Sequence, residues 1–205
     1  MAVVSNGTTI IDAGALGSGV ATGKMILIKT LTASDSANLS FVHGASSVVF
    51  DNTYDKYVFK FINIHPANDG VQFQVNFRDG GSAYDATKTT TLFQVYHQED
   101  DGATALTYRT PDDLAQSTSS QMLSADCDND DDSNLGGELT IFNPSSTVFQ
   151  KQFMSTTNSN FNSAMTINIF VAGYVNVTAA VDGVQFTMSS GNIGSGVIKL
   201  YGIGG

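Results

Sequence analysis

Tryptophan is absent from this chain of 205 residues, and cysteine occurs once, as Cys127. A single cysteine excludes a disulfide within the chain, so packing and hydrogen bonds have to hold the fold. Glutamate occurs only at Glu99 and Glu138, against 17 aspartates. Because glutamate favours helices whereas aspartate favours turns and caps, this bias favours strands joined by turns over helices.

Basic residues are few, since 9 lysines and arginines stand against 19 aspartates and glutamates, for a formal net charge of −10. Nucleic-acid binders need clustered lysine and arginine to neutralise phosphates. Here the lysines are scattered, and Arg78 and Arg109 are the only arginines. We therefore expect no nucleic-acid partner and interpret the acidity as a source of solubility.

Long apolar runs are also missing. No stretch approaches the roughly 18 residues of a membrane span. The start, MAVVSNGTTII, has neither the basic segment nor the continuous apolar segment of a signal peptide. Hydrophobic residues still make up 41% of the chain, which is enough for a packed core. We expect a protein that is made in the cytoplasm and has no membrane partner.

The chain does contain many strand signals, separated by turn formers. VQFQVNFR (71–78) alternates strictly between apolar and polar residues, and KYVFKFINI (56–64) is apolar on both faces apart from Lys60 and Asn63, as a more central strand would be. HPANDG (65–70) is predicted to be a hairpin loop between them, and GVQFTM (183–188) to form a hairpin with GVIKLYGI (196–203). About ten such strands predict an all-β fold, an antiparallel β-sandwich or jelly roll in a single domain.

Two segments depart from this strand pattern. In RTPDDLAQ, Thr110 is a candidate N-cap, Pro111 suits a first helical turn and the two aspartates complement a helix dipole, which predicts one short helix near 110–117. Residues 1–45 are richer in Gly, Ala, Ser and Thr than the rest. They are predicted to form an N-terminal arm for attachment, and residues 46–205 to form the sandwich domain.

The sequence DCDNDDD is the one candidate for a metal site. It places Asp126, Asp128 and Asp130 at alternate positions, a possible set of oxygen ligands for calcium. Against the EF-hand spacing, however, Asp131 stands where glycine is needed and Gly137 where glutamate is needed. The alternative interpretation is a solvated loop of mutually repelling charges. No catalytic motif is found, so we expect a non-enzymatic protein with no cofactor apart from that candidate calcium.

The cysteine and the histidines are interpreted without a chemical role. Cys127 is flanked by carboxylates, which raise the pKa of a thiol and weaken it as a nucleophile, so we predict a bystander thiol. His43, His65 and His97 stand alone at strand ends or in turns, without the spacing of a metal site. They are predicted to be solvated or hydrogen-bonded.

Three segments carry a resemblance to a known family. YDKYVFKFINIHPANDGVQFQVNF (54–77), LTIFNPSSTVFQKQF (139–153) and GVQFTMSSGNIGSGVIKLYGI (183–203) resemble virion proteins of tailed bacteriophages, especially of marine phages. The resemblance runs from residue 46 to the end of the chain, and its distinctive part is the ending SSGNI, SG and KLYGI. It implies a surface component of the particle, in a fibre, the tail or the head decoration. No catalytic residues come with it.

Two roles stay open under this resemblance. One is a capsid decoration or cement protein on the exterior of the head, and the absence of a repeat or coiled-coil shaft favours it. The other is a tail fibre or adhesin that binds a host-surface glycan or protein, with Tyr84, Tyr96 and Tyr108 as candidate recognition residues. The expected partners are the chain itself, as a homotrimer, and the major capsid protein or tail proteins. The expected location is the virion, after synthesis in the bacterial cytoplasm.

Overall fold

The structure is a computed structural model that describes residues 3–5, 7–12, 15–16, 25–161 and 164–204. Within those ranges the chain forms strands, turns and loops and no helix, which confirms the predicted all-β class. The strands in chain order are β1 (Val3–Ser5), β2 (Thr8–Asp12), β3 (Ala15–Leu16), β4 (Ile26–Ser36), β5 (Leu39–Val42), β6 (Lys56–Pro66), β7 (Val71–Arg78), β8 (Lys88–Gln98), β9 (Thr104–Tyr108), β10 (Gln121–Cys127), β11 (Leu135–Phe142), β12 (Lys151–Phe161), β13 (Met165–Val175), β14 (Gly183–Met188) and β15 (Ile193–Ile203).

Twelve of these strands form an antiparallel sandwich of two sheets. Eight strands run in the order β4-β15-β6-β11-β12-β13-β8-β9, and four run in the order β10-β7-β14-β5. The two sheets share one backbone pairing, between Cys127 of β10 and Phe161 of β12. The first three strands pair separately, in the order β1-β2-β3. The predicted antiparallel sandwich is thus confirmed.

The core lies between the two sheets and follows the alternation of the strands. Along β7, Val71, Phe73, Val75 and Phe77 are all buried, as their strict alternation predicts. Along β6, the inward rings of Phe59 and Phe61 contact the four-stranded sheet, and that of Tyr57 contacts residues of the connection between β5 and β6. Burial of these side chains is the main source of stability, because apolar area removed from water contributes roughly 25 cal/mol per Å².

A group of phenylalanine rings joins the sheets at their centre. The ring of Phe186, on β14, contacts Phe59 and Phe61 of β6, in each case with ring centroids 5.2 Å apart and an edge-to-face geometry. On its own sheet it contacts Phe41 at 6.4 Å and Phe73 at 5.7 Å. Such aromatic contacts add to the burial energy. Phe186 therefore links both sheets through four neighbouring rings.

Both predicted hairpins are wrong. β6 lies in the eight-stranded sheet and β7 in the four-stranded sheet, so residues 67–70 cross between the sheets instead of turning within one. Likewise, β14 pairs with β5 and β7, whereas β15 pairs with β4 and β6. Alternation of apolar residues determines which face of a strand is buried but not which strand lies next to it. Short connections rich in Gly, Asn and Ser serve such crossings as well as they serve hairpins.

The predicted helix near 110–117 is also wrong. The N–H of Asp112 donates to the carbonyl of Arg109 at 3.1 Å, which closes a single turn. The segment then extends, and Lys88 and Ser117 exchange two backbone hydrogen bonds of 2.9 and 3.0 Å. The first residues of β8 have no strand partner on this side, because β9 covers only its later residues. Pairing with that open edge outweighs the local preference for a helical turn.

The main sandwich begins before residue 46. Ile26–Ser36 pairs along its length with β15, and Leu39–Val42 pairs with β14, so both strands belong to the sheets and not to an arm. The boundary predicted at residue 45 therefore lies inside the sandwich. Much of the predicted arm, before residue 25, lies outside the described residues, and its role in attachment stays a prediction.

Replacement of Phe186 by alanine is expected to lower the free energy of unfolding by about 3–5 kcal/mol, because it leaves a cavity among four rings. Urea denaturation of the purified protein measures this loss. The matched control is Phe149→Ala, whose ring is 70% exposed and whose replacement should cost less than about 0.5 kcal/mol. Equal losses for the two variants would contradict the central role of Phe186.

Candidate functional site

The two ends of the sandwich differ in charge. One end, called here the acidic end, contains the loops that follow β8 and β10, with the nearby strand ends and turns. Within the described chain no lysine or arginine lies there, so the carboxylates create a region of negative potential. Its acidic residues are Asp35, Asp69, Glu99, Asp100, Asp101, Asp126, Asp128, Asp130, Asp131 and Asp132.

A polar cleft of about 540 Å³ opens at the acidic end. It lies on the outer face of the eight-stranded sheet, which is the face that points away from the four-stranded sheet. The last residues of β8 and β12 and the first residues of β11 and β13 form its walls and floor. Its polar lining includes His97, Glu99, Asn134, Asn158, Asn160 and Thr166.

The register of the strands sets out the cleft side chains in rows. Thr166 of β13 pairs with His97 on one side and with Asn160 on the other, so the three lie side by side across the sheet. Two residues along β12, Asn158 pairs with Gly136 of β11. A Cβ added at Gly136 would contact only the backbone oxygen of Phe61, in β6, at 3.9 Å. The missing side chain therefore gives the cleft its depth.

Hydrogen bonds hold two asparagines of the cleft in place. Asn160 accepts from the backbone N–H of Asn134 through Oδ1 at 2.9 Å, and its Nδ2 donates to the hydroxyl of Ser133 at 2.6 Å. The Oγ1 of Thr166 donates to Oδ1 of Asn158 at 3.2 Å. Asn160 thus fixes the loop that carries Asn134 against the end of β12, and the cleft is preformed.

Other polar groups of the cleft are open to a ligand. Among the described residues, the side chains of Gln98, Glu99 and Asn134 make no hydrogen bond, and neither does Nδ2 of Asn158. His97 bonds through Nε2 to Asp101 at 3.0 Å, an exposed pair that contributes little to stability but orients the ring. The arrangement offers several amide donors and acceptors to one bound molecule.

The sequence does not reveal this site, because TTNSNFNSA (156–164) is rich in the residues that form turns. β12 in fact continues to Phe161, with Ser155, Thr157 and Ser159 buried towards the core and Asn158 and Asn160 exposed at the alternate positions. Thr157 donates to the carbonyl of Leu123 at 2.6 Å, so the inward hydroxyls are satisfied. The alternation of Asn with Ser and Thr was the available signal. Asparagine is depleted in strands, and residues that break a local rule mark candidate functional positions.

The three tyrosines proposed for recognition do not form one surface. Tyr84 precedes β8, and its ring lies against Gly183, where an added Cβ would be 3.2 Å from Cε1. Tyr96 packs against the core, whereas Tyr108 is 53% exposed on the outer face and donates from its hydroxyl to Asp113 at 2.6 Å. Tyr96 and Tyr108 therefore face opposite sides of their sheet. A recognition role for these residues stays a prediction.

The carboxylates of the acidic loop do not meet around one point in the described part of the chain. Among the described residues, no three His, Cys, Asp or Glu side chains lie close enough together to hold one metal ion. Asp128 is buried, and its Oδ1 accepts from the backbone N–H of Asp130 at 3.0 Å, which closes a local turn. Asp126 belongs to β10. The candidate calcium ligands thus serve a turn and a strand end and do not converge.

Cys127 is buried at the end of β10 and is only 3% exposed. Burial raises the pKa of its thiol to about 11, and the charge of the neighbouring Asp126 contributes less. The increase in pKa predicted from the sequence is therefore confirmed in direction, but its main cause is desolvation. At pH 8 only about one thiol in a thousand is ionised.

We expect native Cys127 to react at least about a hundredfold more slowly with an aromatic disulfide reagent than the same thiol in unfolded protein. Low thiolate content and steric protection both act in this direction. Absorbance of the released aromatic thiol, with and without guanidinium, measures the two rates. Similar rates in the two conditions would show that the thiol is accessible in the native protein.

Two lysines are fully buried at the end of the sandwich opposite the acidic end. Nζ of Lys151 donates to the carbonyls of Val177 and Thr178 at 3.1 and 3.0 Å, and also to that of Ala179. Its three N–H groups thus hold one connection closed. Nζ of Lys88 donates to the carbonyl of Ser119 at 2.7 Å. Burial lowers the pKa of both lysines, that of Lys88 to about 8.

The free energy of unfolding is expected to rise by roughly 2 kcal/mol between pH 8 and pH 10 because of Lys88. Its folded pKa of about 8 lies below the unfolded value of about 10.4. The unfolded chain therefore binds more protons in this window, and stability increases with pH. Urea denaturation at several pH values measures the slope, and Lys88→Met is the control that should lack it. A wild-type slope identical to that of the variant would contradict the assignment.

Apolar side chains are exposed at the end of the sandwich where β4 begins and β15 finishes, called here the apolar end. Val148 and Phe149, in the loop between β11 and β12, are 69% and 70% exposed. This end carries basic as well as acidic residues, so it lacks the uniform negative charge of the acidic end. Its exposed apolar residues are Met25, Ile26, Leu27, Phe142, Val148 and Phe149.

Comparisons of the chain with protein-family models, with curated proteins and with solved structures return no match. In the part of the chain that the structure describes, no helix has the length and apolar character needed to cross a membrane. The candidate site therefore rests on its own geometry, with a polar cleft at the acidic end and exposed apolar residues at the apolar end.

Proposed function

We propose that the chain is a non-enzymatic structural protein on the exterior of a tailed-phage virion, placed on the head as a decoration protein. The observation that carries this proposal is the division of the exposed surface between the two ends. Exposed apolar residues such as Val148 and Phe149 lie at one end, and exposed apolar surface marks sites of protein association. Ten carboxylates of the described residues lie at the other end, where negative charge keeps a particle surface soluble.

This division fits a protein bound to a larger assembly by one end. The sandwich begins at Met25, at the apolar end, where the exposed apolar residues lie. The preceding segment and these side chains together would form the contact with the major capsid protein. The resemblance of residues 46–205 to phage virion proteins supports the same assignment. We further propose a homotrimer, since virion proteins assemble with closed symmetry.

A second role, as a tail-fibre component or adhesin that binds a host-surface glycan, is favoured by the polar cleft. The cleft lies at the acidic end, away from the proposed contact with the particle, so it would face the medium. Its open amide groups provide hydrogen-bonding partners for a polar ligand. Both roles place the protein in the virion, and neither of them uses a cofactor.

Immunogold labelling of intact phage particles separates the two roles. Label distributed over the head supports decoration, whereas label confined to the tail supports the adhesin. Light scattering of the recombinant protein, run alongside, measures whether it is a trimer. A particle with no label would overturn both virion roles.

The double substitution Val148→Ser and Phe149→Ser is expected to reduce incorporation of the protein into particles at least about tenfold. Two large side chains lose their apolar burial at the contact, at roughly 1.5–3 kcal/mol each. A tagged variant produced in infected cells is measured by immunoblot of purified particles. The control is Leu106→Ser, which removes an equally exposed side chain, 70% exposed, from β9. Unchanged incorporation of the double variant would exclude this loop as the contact.

A further inference from the structure

We infer that the cleft at the acidic end binds an uncharged saccharide, an inference that rests on the adhesin role proposed above. Asn158 and Asn160 of β12 form its floor together with Gly136 of β11. His97 and Thr166 lie in the same row and form one side. The volume of about 540 Å³ lies within the range of small-molecule sites. Such sites are usually apolar, and the polar lining here indicates a ligand rich in hydroxyl groups.

The hydrogen-bonding groups of the cleft match hydroxyls better than they match other ligands. Gln98 and Asn134 each present a carbonyl oxygen and an amide NH₂ without a bond to the described chain. Asn158 keeps Nδ2 open because Thr166 occupies only its Oδ1. A sugar hydroxyl donates and accepts at once, so it pairs with amides that do both. A phosphate only accepts, and it would leave the amide oxygens and the carboxylate of Glu99 unmatched.

The charge around the cleft selects against anionic ligands. Glu99 lies in the lining, and Asp100 and Asp101 follow it in the same loop. Described residues of this end include no lysine or arginine to offset them. A sulfated or sialylated sugar would be repelled by this field. A neutral saccharide is not repelled, and the carboxylate of Glu99 can accept hydrogen bonds from its hydroxyls.

The cleft is built on rigid elements. Asn158 stands where β12 is paired with β11 on one side and with β13 on the other, and Asn160 is paired with Thr166 of β13. Asn160 already has both ends of its amide bonded, and it holds the loop of Asn134 at the rim. Side chains fixed before binding lose little conformational freedom when the ligand arrives. Because the side chains are fixed in advance, a small number of hydrogen bonds can be enough for binding.

An aromatic surface continues from the cleft along the outer face. The rings of Phe93 and Phe170 stack with centroids 4.8 Å apart and an interplanar angle of 13°. Phe93 lies four residues before His97 on β8, at about 13 Å along the strand. The C–H groups of a second or third sugar ring would pack on these faces. An oligosaccharide should therefore bind more tightly than a monosaccharide.

The test uses the purified full chain on an array of immobilised neutral oligosaccharides, with sulfated and sialylated oligosaccharides on the same array. Titration calorimetry then measures the affinity for a retained neutral oligosaccharide. Gly136→Leu fills the floor of the cleft, and it should weaken binding at least about tenfold, the effect of losing one or two hydrogen bonds. The Cβ at this position meets no close atom, so the fold should tolerate it.

Thr140→Leu is the matched control, because it adds apolar bulk on the same strand and face, four residues from Gly136. It should bind as the wild type does. Thermal unfolding confirms that each variant is folded. Where Gly136→Leu fails to fold, Asn158→Ala takes its place, since that side chain points outwards and its loss should also weaken binding about tenfold.

The inference is supported if the wild type binds neutral oligosaccharides, if Gly136→Leu or Asn158→Ala weakens this binding, and if Thr140→Leu leaves it unchanged. It is overturned if the wild type retains no neutral saccharide, if it prefers the anionic ones, or if the cleft variants bind unchanged. The assay needs no virion, so its failure is distinct from the failure of the proposed function. If the label lies on the tail but no saccharide binds, the adhesin role is supported and a saccharide ligand is excluded. If the label lies on the head, the decoration role is supported.

Discussion

Packing of aromatic rings between the two sheets is the interaction on which the rest of the structure depends. Phe186 of the four-stranded sheet contacts Phe59 and Phe61 of the eight-stranded sheet, and the chain has no disulfide to do the same. In the described chain the sheets share a single backbone pairing, at Cys127 and Phe161. Side-chain packing therefore sets the distance between them. A packed core in turn holds the outward-facing residues in fixed positions, which a preformed site requires.

β12 shows how the core and the candidate site depend on each other. Its last residues bury hydroxyls instead of apolar groups, and each hydroxyl has a hydrogen-bond partner. Ser155, for example, donates to the carbonyl of Glu138 at 2.8 Å, and the hydroxyls of Ser159 and Ser124 bond to each other at 3.2 Å. Satisfied inward hydroxyls keep the strand regular up to the acidic end. Regularity places Asn158 and Asn160 on the same side of the sheet, one pleat apart. Without those inward bonds, the polar segment would gain more from solvation as a loop.

The sequence predicts which face of each strand is buried, but it does not predict which strands lie next to each other. The alternation of Val71, Phe73, Val75 and Phe77 correctly identifies buried positions, because burial depends on a local period of two. The hairpins predicted at 65–70 and 183–203 fail because a turn within a sheet and a crossing between sheets use the same residue types. The helix near 110–117 fails because its competitor, the open edge of β8, is distant in sequence. The cleft is not visible in the sequence for the same reason. Four strands contribute to it, and local patterns do not show that these strands pair with one another.

The chemistry of the two ends then follows from where the strands start and finish. Antiparallel strands bring alternate connections to the same end, so the loops after β8 and β10 collect their carboxylates together although they are far apart in sequence. The opposite end receives both the loop of Val148 and Phe149, which follows β11, and the start of β4. A surface that is apolar at one end and acidic at the other can bind a large partner by the first and remain solvated at the second. The polar cleft lies at the solvated end, where a ligand from the medium can reach it while the apolar end is occupied.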